Sequence, residues 1–273
     1  MKFTKWQGLG NDFVVINNLG GELRDAAELA KRICDRHFGI GADGLILIEN
    51  SALADFKMRI INADGTEPEM CGNGLRCAAK FIDEYDLTGK TKLTIETLAG
   101  IMEPEILSDG LIRVNMGVPR LKRSEIPVAG TDSESAQNIV LNIGGHSVTG
   151  TAVSMGNPHF VIFTEHLEDE VIRGVGPLVE EHEMFPKKTN VEFIKIIDRK
   201  NIRMRVWERG VGVTLACGTG ACASAVACIL AGETDNEITV KLDGGGLLIA
   251  WNGEGQPIYM TGPAIEVFTG EFN

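Results

Sequence analysis

Short apolar runs, some alternating with polar residues and some continuous, recur along this chain between glycine-, asparagine- and proline-rich breaks. They predict many strands and few helices. Residues 13–16, 45–49 and 56–62 read as strands, with a helix over about 26–36 between the first two. After Met70 a glycine-rich turn opens a helix to about Glu84, whose Leu75, Ala78, Ala79 and Ile82 make an apolar face. Strand-like runs follow at 92–97 and 111–116, and the polar, proline-containing stretch 119–135 reads as a crossing between halves. The order then returns: a strand at 159–163, a short helix near 167–174, strands at 191–197 and 202–207, and a helix from Gly218. Further strands are expected at 238–242, 247–251 and 265–268.

The return is written in the residues themselves. Cys71-Gly72-Asn73-Gly74-Leu75-Arg76-Cys77 reappears as Cys217-Gly218-Thr219-Gly220-Ala221-Cys222, an offset of 146 (217 minus 71). The same offset carries Gly10-Asn11 onto Gly156-Asn157, Met58-Arg59 onto Met204-Arg205 and Gly100 onto Gly246; a slip of one then brings Gly117 onto Gly262. Landmarks so widely separated at one spacing indicate a duplicated unit. Two domains are expected, residues 1–118 and 119–262, with the last strand (about 263–273) able to pack back on the first and the active site in the cleft between them. A helix as uniformly apolar as 221–230 is hard to place on an open sheet with one wet face. The expected fold is therefore α+β, with two pseudo-symmetric domains, each a strongly curved, mostly antiparallel β-sheet or barrel around a central helix.

Bulk properties narrow the partners. The 273 residues carry a net charge of −12 and a pI near 4.9, which argues against nucleic acid or an anionic membrane surface. Residues 211–231 hold no charge and are nominally long enough to span a bilayer, but Gly218 and Gly220 favour a turn and helix start, so a buried helix is expected. The repeat begins almost at once, leaving no room for a targeting segment. The six cysteines lack the density of a disulfide scaffold, and reduced thiols in the cytoplasm are expected. Their spacings also lack the close pairs of a zinc site, so no metal is expected, and Cys34, Cys77, Cys222 and Cys228 read as core residues. Gly39-Ile40-Gly41-Ala42-Asp43-Gly44 lies between a helix and a strand, the reverse of a dinucleotide fingerprint, and reads as a tight turn.

Cys71 and Cys217 each precede a Gly-x-Gly that opens a helix. Backbone amides there are unpaired and the helix end is positive. Each thiol is therefore expected to fall from its free pKa of about 8.5 toward neutrality. A carboxylate held at such helix ends would accept amide hydrogen bonds, and the glycines permit close approach. This chemistry describes inversion at the α-carbon of an amino acid. One thiolate removes the α-proton and the other thiol returns one to the opposite face, while the helix ends stabilise charge developing on the carboxylate. No cofactor is expected, and nothing signals pyridoxal phosphate or a nicotinamide.

The blocks Gly8-Leu9-Gly10-Asn11-Asp12-Phe13, Asn62-Ala63-Asp64-Gly65, Met70-Cys71-Gly72-Asn73-Gly74 and Gly156-Asn157-Pro158-His159 complete a familiar pattern with four more. Those are Arg76-Cys77, Thr189-Asn190-Val191, Trp207-Glu208-Arg209-Gly210 and Ala216-Cys217-Gly218-Thr219-Gly220. In this order they resemble the diaminopimelate epimerase family nearly end to end. The resemblance implies interconversion of LL- and meso-diaminopimelate in lysine biosynthesis, without pyridoxal phosphate, by Cys71 and Cys217. It implies that Asn62, Asn157, Asn190 and Arg209 bind the distal carboxylate and ammonium, roles suited to amides that donate and accept and to a forked guanidinium. Glu208 stands at the repeat equivalent of Asn62, and the resemblance gives it the α-ammonium and a place near Cys217. His159 is implied to pair with Cys71, and Asn11, Gly72, Asn73, Gly218 and Thr219 complete the implied substrate-binding set. Many members carry glutamine at the position of Gly44 and glutamate at that of Val213.

A proline or hydroxyproline racemase would use the same paired thiols, but it would not need Asn62, Asn157, Asn190 and Arg209 together and would more typically have histidine at Asn73. A thiol redox protein cycling Cys71 and Cys217 is the remoter alternative. The expected partner is the small-molecule substrate, with no nucleic acid and no membrane, and a homodimer is compatible with these features.

Overall fold

The computed structural model describes residues 1–273, which divide into two compact units, 1–115 with 261–273, and 116–260. The first unit contains β1 (Lys2–Gly8), β2 (Asn11–Asn17), α1 (Ala26–Ile33), β3 (Gly44–Glu49), β4 (Phe56–Asn62), α2 (Gly72–Glu84), β5 (Ile95–Thr97), β6 (Gly100–Met102) and the hairpin of β7 (Glu105–Ile106) and β8 (Ile112–Asn115). The second contains β9 (Ile139–Ile143), β10 (His146–Ser154), β11 (Pro158–Phe163), α3 (Asp169–Glu180), β12 (Asn190–Asp198), β13 (Asn201–Glu208) and β14 (Gly212–Thr214). It continues with α4 (Gly218–Leu230), β15 (Glu237–Leu242), β16 (Gly245–Trp251) and most of β17 (Ile258–Gly262), after which β18 (Ile265–Glu271) returns to the first unit.

One topology is used twice. Seven of the first unit's strands form a sheet in the order β18-β1-β2-β3-β4-β5-β6. From β1 to β6 the pairings are antiparallel, parallel, antiparallel, parallel, antiparallel. Along β10-β11-β12-β13-β15-β16 the second unit repeats that series. Helices α2 and α4 are each 13 residues long and begin 146 residues apart (218 minus 72). In the first unit β18 adds an antiparallel edge to β1, and the Met1 ammonium donates to the Phe272 carbonyl at 2.8 Å.

The sheets are not the strongly curved barrels expected from the sequence, although three of the five pairings in each repeated series are antiparallel. Each is open, its strand order running from edge to edge, and each is mixed, with two parallel pairings in each repeated series. Parallel neighbours cannot be joined by a hairpin, so α1, α2, α3 and α4 serve as the crossovers. The helices also cover both faces of each sheet. Leu45 and Leu47 of β3 share a core with Ala30 and Ile33 of α1, whereas Ile46 points to Gly74 in α2. In the second unit Val191 and Phe193 of β12 pack with Ile172 and Val179 of α3, and Glu192 lies against Gly220 of α4. A strand covered on both sides needs no alternation, which is why Leu45 to Ile48 is an unbroken apolar run.

Helix α4 is buried from Gly220 to Cys228, against β10, β11, β12, β13, β15 and β16. An open sheet is therefore enough to enclose an apolar helix. No helix is long and apolar enough to cross a membrane. Helix α1 is capped by the Asp25 carboxylate, which accepts from the Glu28 amide at 3.1 Å, and it stops at Ile33, short of residue 36. Helix α3 runs past Gly174 and through Pro177 to Glu180. Proline costs the helix a hydrogen bond there, but buried Ile172 and Val179 and the close seat of Gly176 on Trp207 hold it in place. Strands β1, β6, β7, β9, β10, β14 and β17 fall where no strand was read.

Ala225 of α4 has no exposed surface. Ala225→Leu is expected to overpack the unit and lower stability by about 1–3 kcal/mol in urea denaturation; unchanged stability would mean that the helix is loosely seated.

Candidate active site

In the first unit Cys71 is the N-cap of α2. Its backbone is extended (φ −139°, ψ 117°) and its Sγ accepts from the Gly74 amide at 3.4 Å, the role an oxygen usually plays. The sulfur lies 3.7 Å from Asn11 Oδ1, to which it donates, and Asn73 Nδ2 donates to the same oxygen at 3.3 Å. Asn11 cannot turn over freely, because its Nδ2 donates to Asp43 Oδ2 at 2.7 Å. Arg36 holds Asp43 at 2.7 Å and Asp12 at 2.8 Å, and Lys5 closes this network on Asp12 at 2.7 Å. Burial pushes the Asp12 carboxyl up, but the bonds and charges of Arg36 and Lys5 together prevail and bring it from 3.8 down to about 2.

Gly72 opens α2, and its carbonyl accepts from Arg76 at 3.4 Å. Arg76 is fully buried, and it also bonds Asn73 Oδ1 at 2.8 Å and the Pro263 carbonyl at 3.1 Å. It therefore sets the amide that meets Asn11, a role that sequence reasoning missed. Asn62 ends β4, where its Nδ2 donates to Thr66 Oγ1 at 3.0 Å; this bond ties its own turn and not the Cys71 cluster. A Cβ on Gly44 would meet the Ile61 carbonyl at 2.8 Å, so the backbone as folded here leaves no room for a side chain.

In the second unit Cys217 caps α4 (φ −126°, ψ 111°), accepting from the Gly220 amide at 3.3 Å, with Thr219 Oγ1 3.5 Å from its sulfur. Gly218 is the first residue of that helix. Asn157 Nδ2 donates to Thr219 Oγ1 at 3.3 Å, and Asn157 Oδ1 is 3.0 Å from His159 Nε2. His159 Nδ1 in turn is 2.7 Å from Glu192 Oε1, and both His159 and Glu192 are wholly buried. Glu208 ends β13 and accepts a hydrogen bond from the Thr214 hydroxyl. Burial raises the Glu208 carboxyl above its ordinary value; the Thr214 bond opposes this and the charge of Glu192 adds to it. Val213 packs against the core beside α3.

Burial pushes the Cys217 thiol well above its ordinary value, and the charges of Glu208 and Glu192 push it further, against the bonds from Thr219 and Gly220. The lowered thiol expected from a helix start is therefore reversed at Cys217. Desolvation and two carboxylates outweigh the helix amides.

Asn190 bridges two segments: its Nδ2 donates to the Pro158 carbonyl at 2.8 Å and its Oδ1 accepts from the Arg209 amide at 2.9 Å. The Arg209 guanidinium donates to the Lys187 carbonyl at 3.1 Å. Buried Glu180 of α3 accepts from Trp207 Nε1 at 2.7 Å and from the Gly210 amide at 2.9 Å, bracketing Glu208 and Arg209. Neither Glu180 nor Glu192 was singled out from the sequence. The usable signal for Glu192 was the repeat, which sets it on Ile46 (192 minus 146).

Asp12 is held deprotonated by the fold, so its contribution should be complete above the unfolded carboxyl value of 3.8 and disappear as pH falls through about 2. The stability gap between the wild type and Asp12→Asn is expected to close over that window in pH-dependent denaturation; a gap that widened on acidification would contradict the ion pairs. In a Cys71→Ala background, the thiolate ultraviolet absorbance of Cys217 is expected to rise only above the free-thiol range of about 8.5, and a thiolate already present at neutral pH would contradict the burial argument.

A family model described as diaminopimelate epimerase matches residues 3–122 and 151–267. A diaminopimelate epimerase of Elusimicrobium minutum is 52% identical over 273 residues, covering 100% of this chain and 99% of its own. One from Methanococcus maripaludis is 48% identical over 277 residues and covers 100% of both. Among solved structures, a hydroxyproline epimerase from Agrobacterium vitis superposes with TM-score 0.69 at 12% identity, covering 99% of this chain and 91% of that one. A phenazine biosynthesis protein of the PhzF family from Bacillus anthracis gives 0.69 at 17%, covering 100% and 99%. Those two likenesses show the fold alone. The matches near half identity run through both units, and on them the chain belongs to the diaminopimelate epimerase family.

Proposed function

We propose that this chain interconverts LL- and meso-2,6-diaminopimelate by two-base proton transfer at an α-carbon, without pyridoxal phosphate, as a step of lysine biosynthesis in the cytoplasm. The reading is supported most directly by the full-length relatives, together with a cysteine at the N-cap of each of two equivalent helices. Inversion at one carbon needs a base and an acid of comparable strength, and each unit supplies one thiol. The amides at the starts of α2 and α4 receive the α-carboxylate and stabilise charge that develops on it as the proton leaves. Cys217, raised by burial, starts as the protonated partner, and Cys71 as the base in that direction. His159 and Glu208 adjust the acid–base pair, and Glu208 also receives the α-ammonium.

The remaining roles fall to polar groups that can select a second amino-acid end. Asn62, Asn157, Asn190 and Arg209 bind the distal carboxylate and ammonium, and Asn11, Asn73 and Thr219 orient the reacting end. The bond from the Arg209 amide to Asn190 Oδ1 and the Glu180 clamp keep the recognition turn in one place, and the Arg209 side chain on it is exposed.

Proton NMR in heavy water tests the proposal. Reduced protein given LL-diaminopimelate is expected to exchange the α-proton and form the meso isomer, with L-proline untouched. Cys71→Ala and Cys217→Ala should each lose at least about 100-fold in turnover. Arg209→Ala should raise KM by about 10- to 100-fold, the equivalent of about 1.5–3 kcal/mol for a charged hydrogen bond. Exchange of proline in place of diaminopimelate would overturn the recognition assignment, and exchange of neither would overturn the reaction.

A further inference from the structure

We propose that Glu192 is a positioning residue of this reaction: its carboxylate holds the His159 imidazole and, through Asn157 and Thr219, sets the hydrogen bonding at Cys217. The inference rests on the assignment of Cys217 and His159 to the chemistry.

The chain contains its own comparison. Subtracting 146 places His159 on Phe13 and Glu192 on Ile46. The registers agree: β2 and β3 pair Phe13 with Gly44 and Val15 with Ile46, as β11 and β12 pair His159 with Asn190 and Val161 with Glu192. Beneath the start of α2, a Cβ on Gly74 would meet Ile46 Cδ1 at 3.3 Å; beneath α4, a Cβ on Gly220 would meet Glu192 Oε1 at 2.6 Å. One slot under a cysteine-capped helix thus holds a methyl group in the first unit and a carboxylate in the second. All four side chains are buried.

The first unit shows that this scaffold is completed by an apolar pair. The acid–imidazole pair is therefore not a requirement of the fold. It is also costly, because a carboxylate out of water needs compensation, and Glu192 Oε2 has no hydrogen-bond partner. Gly220 is needed where it is because any side chain would collide with that carboxylate. A costly group that the fold does not need, in contact with a proposed site histidine, points to a role in the chemistry.

The bonds say what that role is. Asn157 Oδ1 can only accept, so the His159 Nε2 facing it donates, and the Glu192 carboxylate at Nδ1 holds the ring in the form with a proton on each nitrogen. With its oxygen so engaged, Asn157 presents Nδ2 to Thr219 Oγ1, which leaves the Thr219 hydroxyl hydrogen for Cys217 Sγ. The direction of each link follows from the one before it, back to Glu192. Independently of this chain, Glu192 is one of the charges that raise Cys217, after burial and Glu208.

The test compares full-length Glu192→Gln and Glu192→Ile with wild type, measuring turnover of LL-diaminopimelate, the ring-nitrogen NMR shifts of His159 and the melting temperature. Both variants are expected to lose about 10- to 1,000-fold in kcat with KM nearly unchanged. The His159 shifts should move in Glu192→Gln, and the double variant His159→Phe/Glu192→Ile, which restores the apolar pair of the first unit, should melt no lower than wild type. Unchanged kcat in either folded variant would overturn the proposal, as would a loss confined to melting temperature; should the isoleucine variant not fold, the glutamine variant carries the same criterion. A Cys217→Ala protein that kept full turnover would overturn the underlying site assignment instead, so the two failures are distinguishable.

Discussion

Each proposed reactive sulfur is fixed by the start of a helix. Capping requires the cysteine backbone to be extended while the next residue is already helical, so the position of the sulfur follows from the helix with little freedom left. Whatever seats α2 and α4 therefore aims Cys71 and Cys217. For α4 the seat is burial on nearly every side, a rigid support for a group that must act at a set distance. The same burial strips water from the sulfur and raises its pKa. Placement and acidity thus pull against each other at Cys217, and the surrounding donors only partly relieve the conflict.

Both units solve this problem with one scaffold and different chemistry. Around Cys71 the supporting groups are amides backed by cations: Asn11 and Asn73, then Arg76 on one side and the Asp43–Arg36 pair on the other. Around Cys217 they are a hydroxyl, an amide, an imidazole and carboxylates. The exchange of Asn62 for Glu208, Phe13 for His159 and Ile46 for Glu192 at matched positions leaves the strand order untouched. Duplication supplied two equal frames, and substitution at a few inward-facing positions made them electrostatically unequal.

Much of this was legible in the sequence, and the parts that were not have identifiable causes. The 146-residue offset located both helix starts, because Cys-Gly-x-Gly is a local signal that needs no tertiary context. Strand direction was not legible, since alternation reports which face is buried and not which way a neighbour runs. Pro177 hid the second half of α3, where packing on Trp207 overrides a local penalty. Glu192 was hidden by its setting, one acidic residue in the apolar run Val191-Glu192-Phe193, and only comparison with Ile46 exposes it. The acidity of Cys217 was misjudged because helix amides can be read from a motif, whereas burial and a carboxylate brought from β12 cannot.

The order in which the chain leaves the ribosome gives β18 a further meaning. The second unit is continuous from 116 to 260, whereas the first is interrupted and has its edge on β1 supplied by a strand made after the whole second unit. Until then β1 presents unpaired backbone donors and acceptors, a surface open to mispairing with other chains. The first unit is begun before the second and completed after it, and the pairing of β18 with β1 ends its exposure.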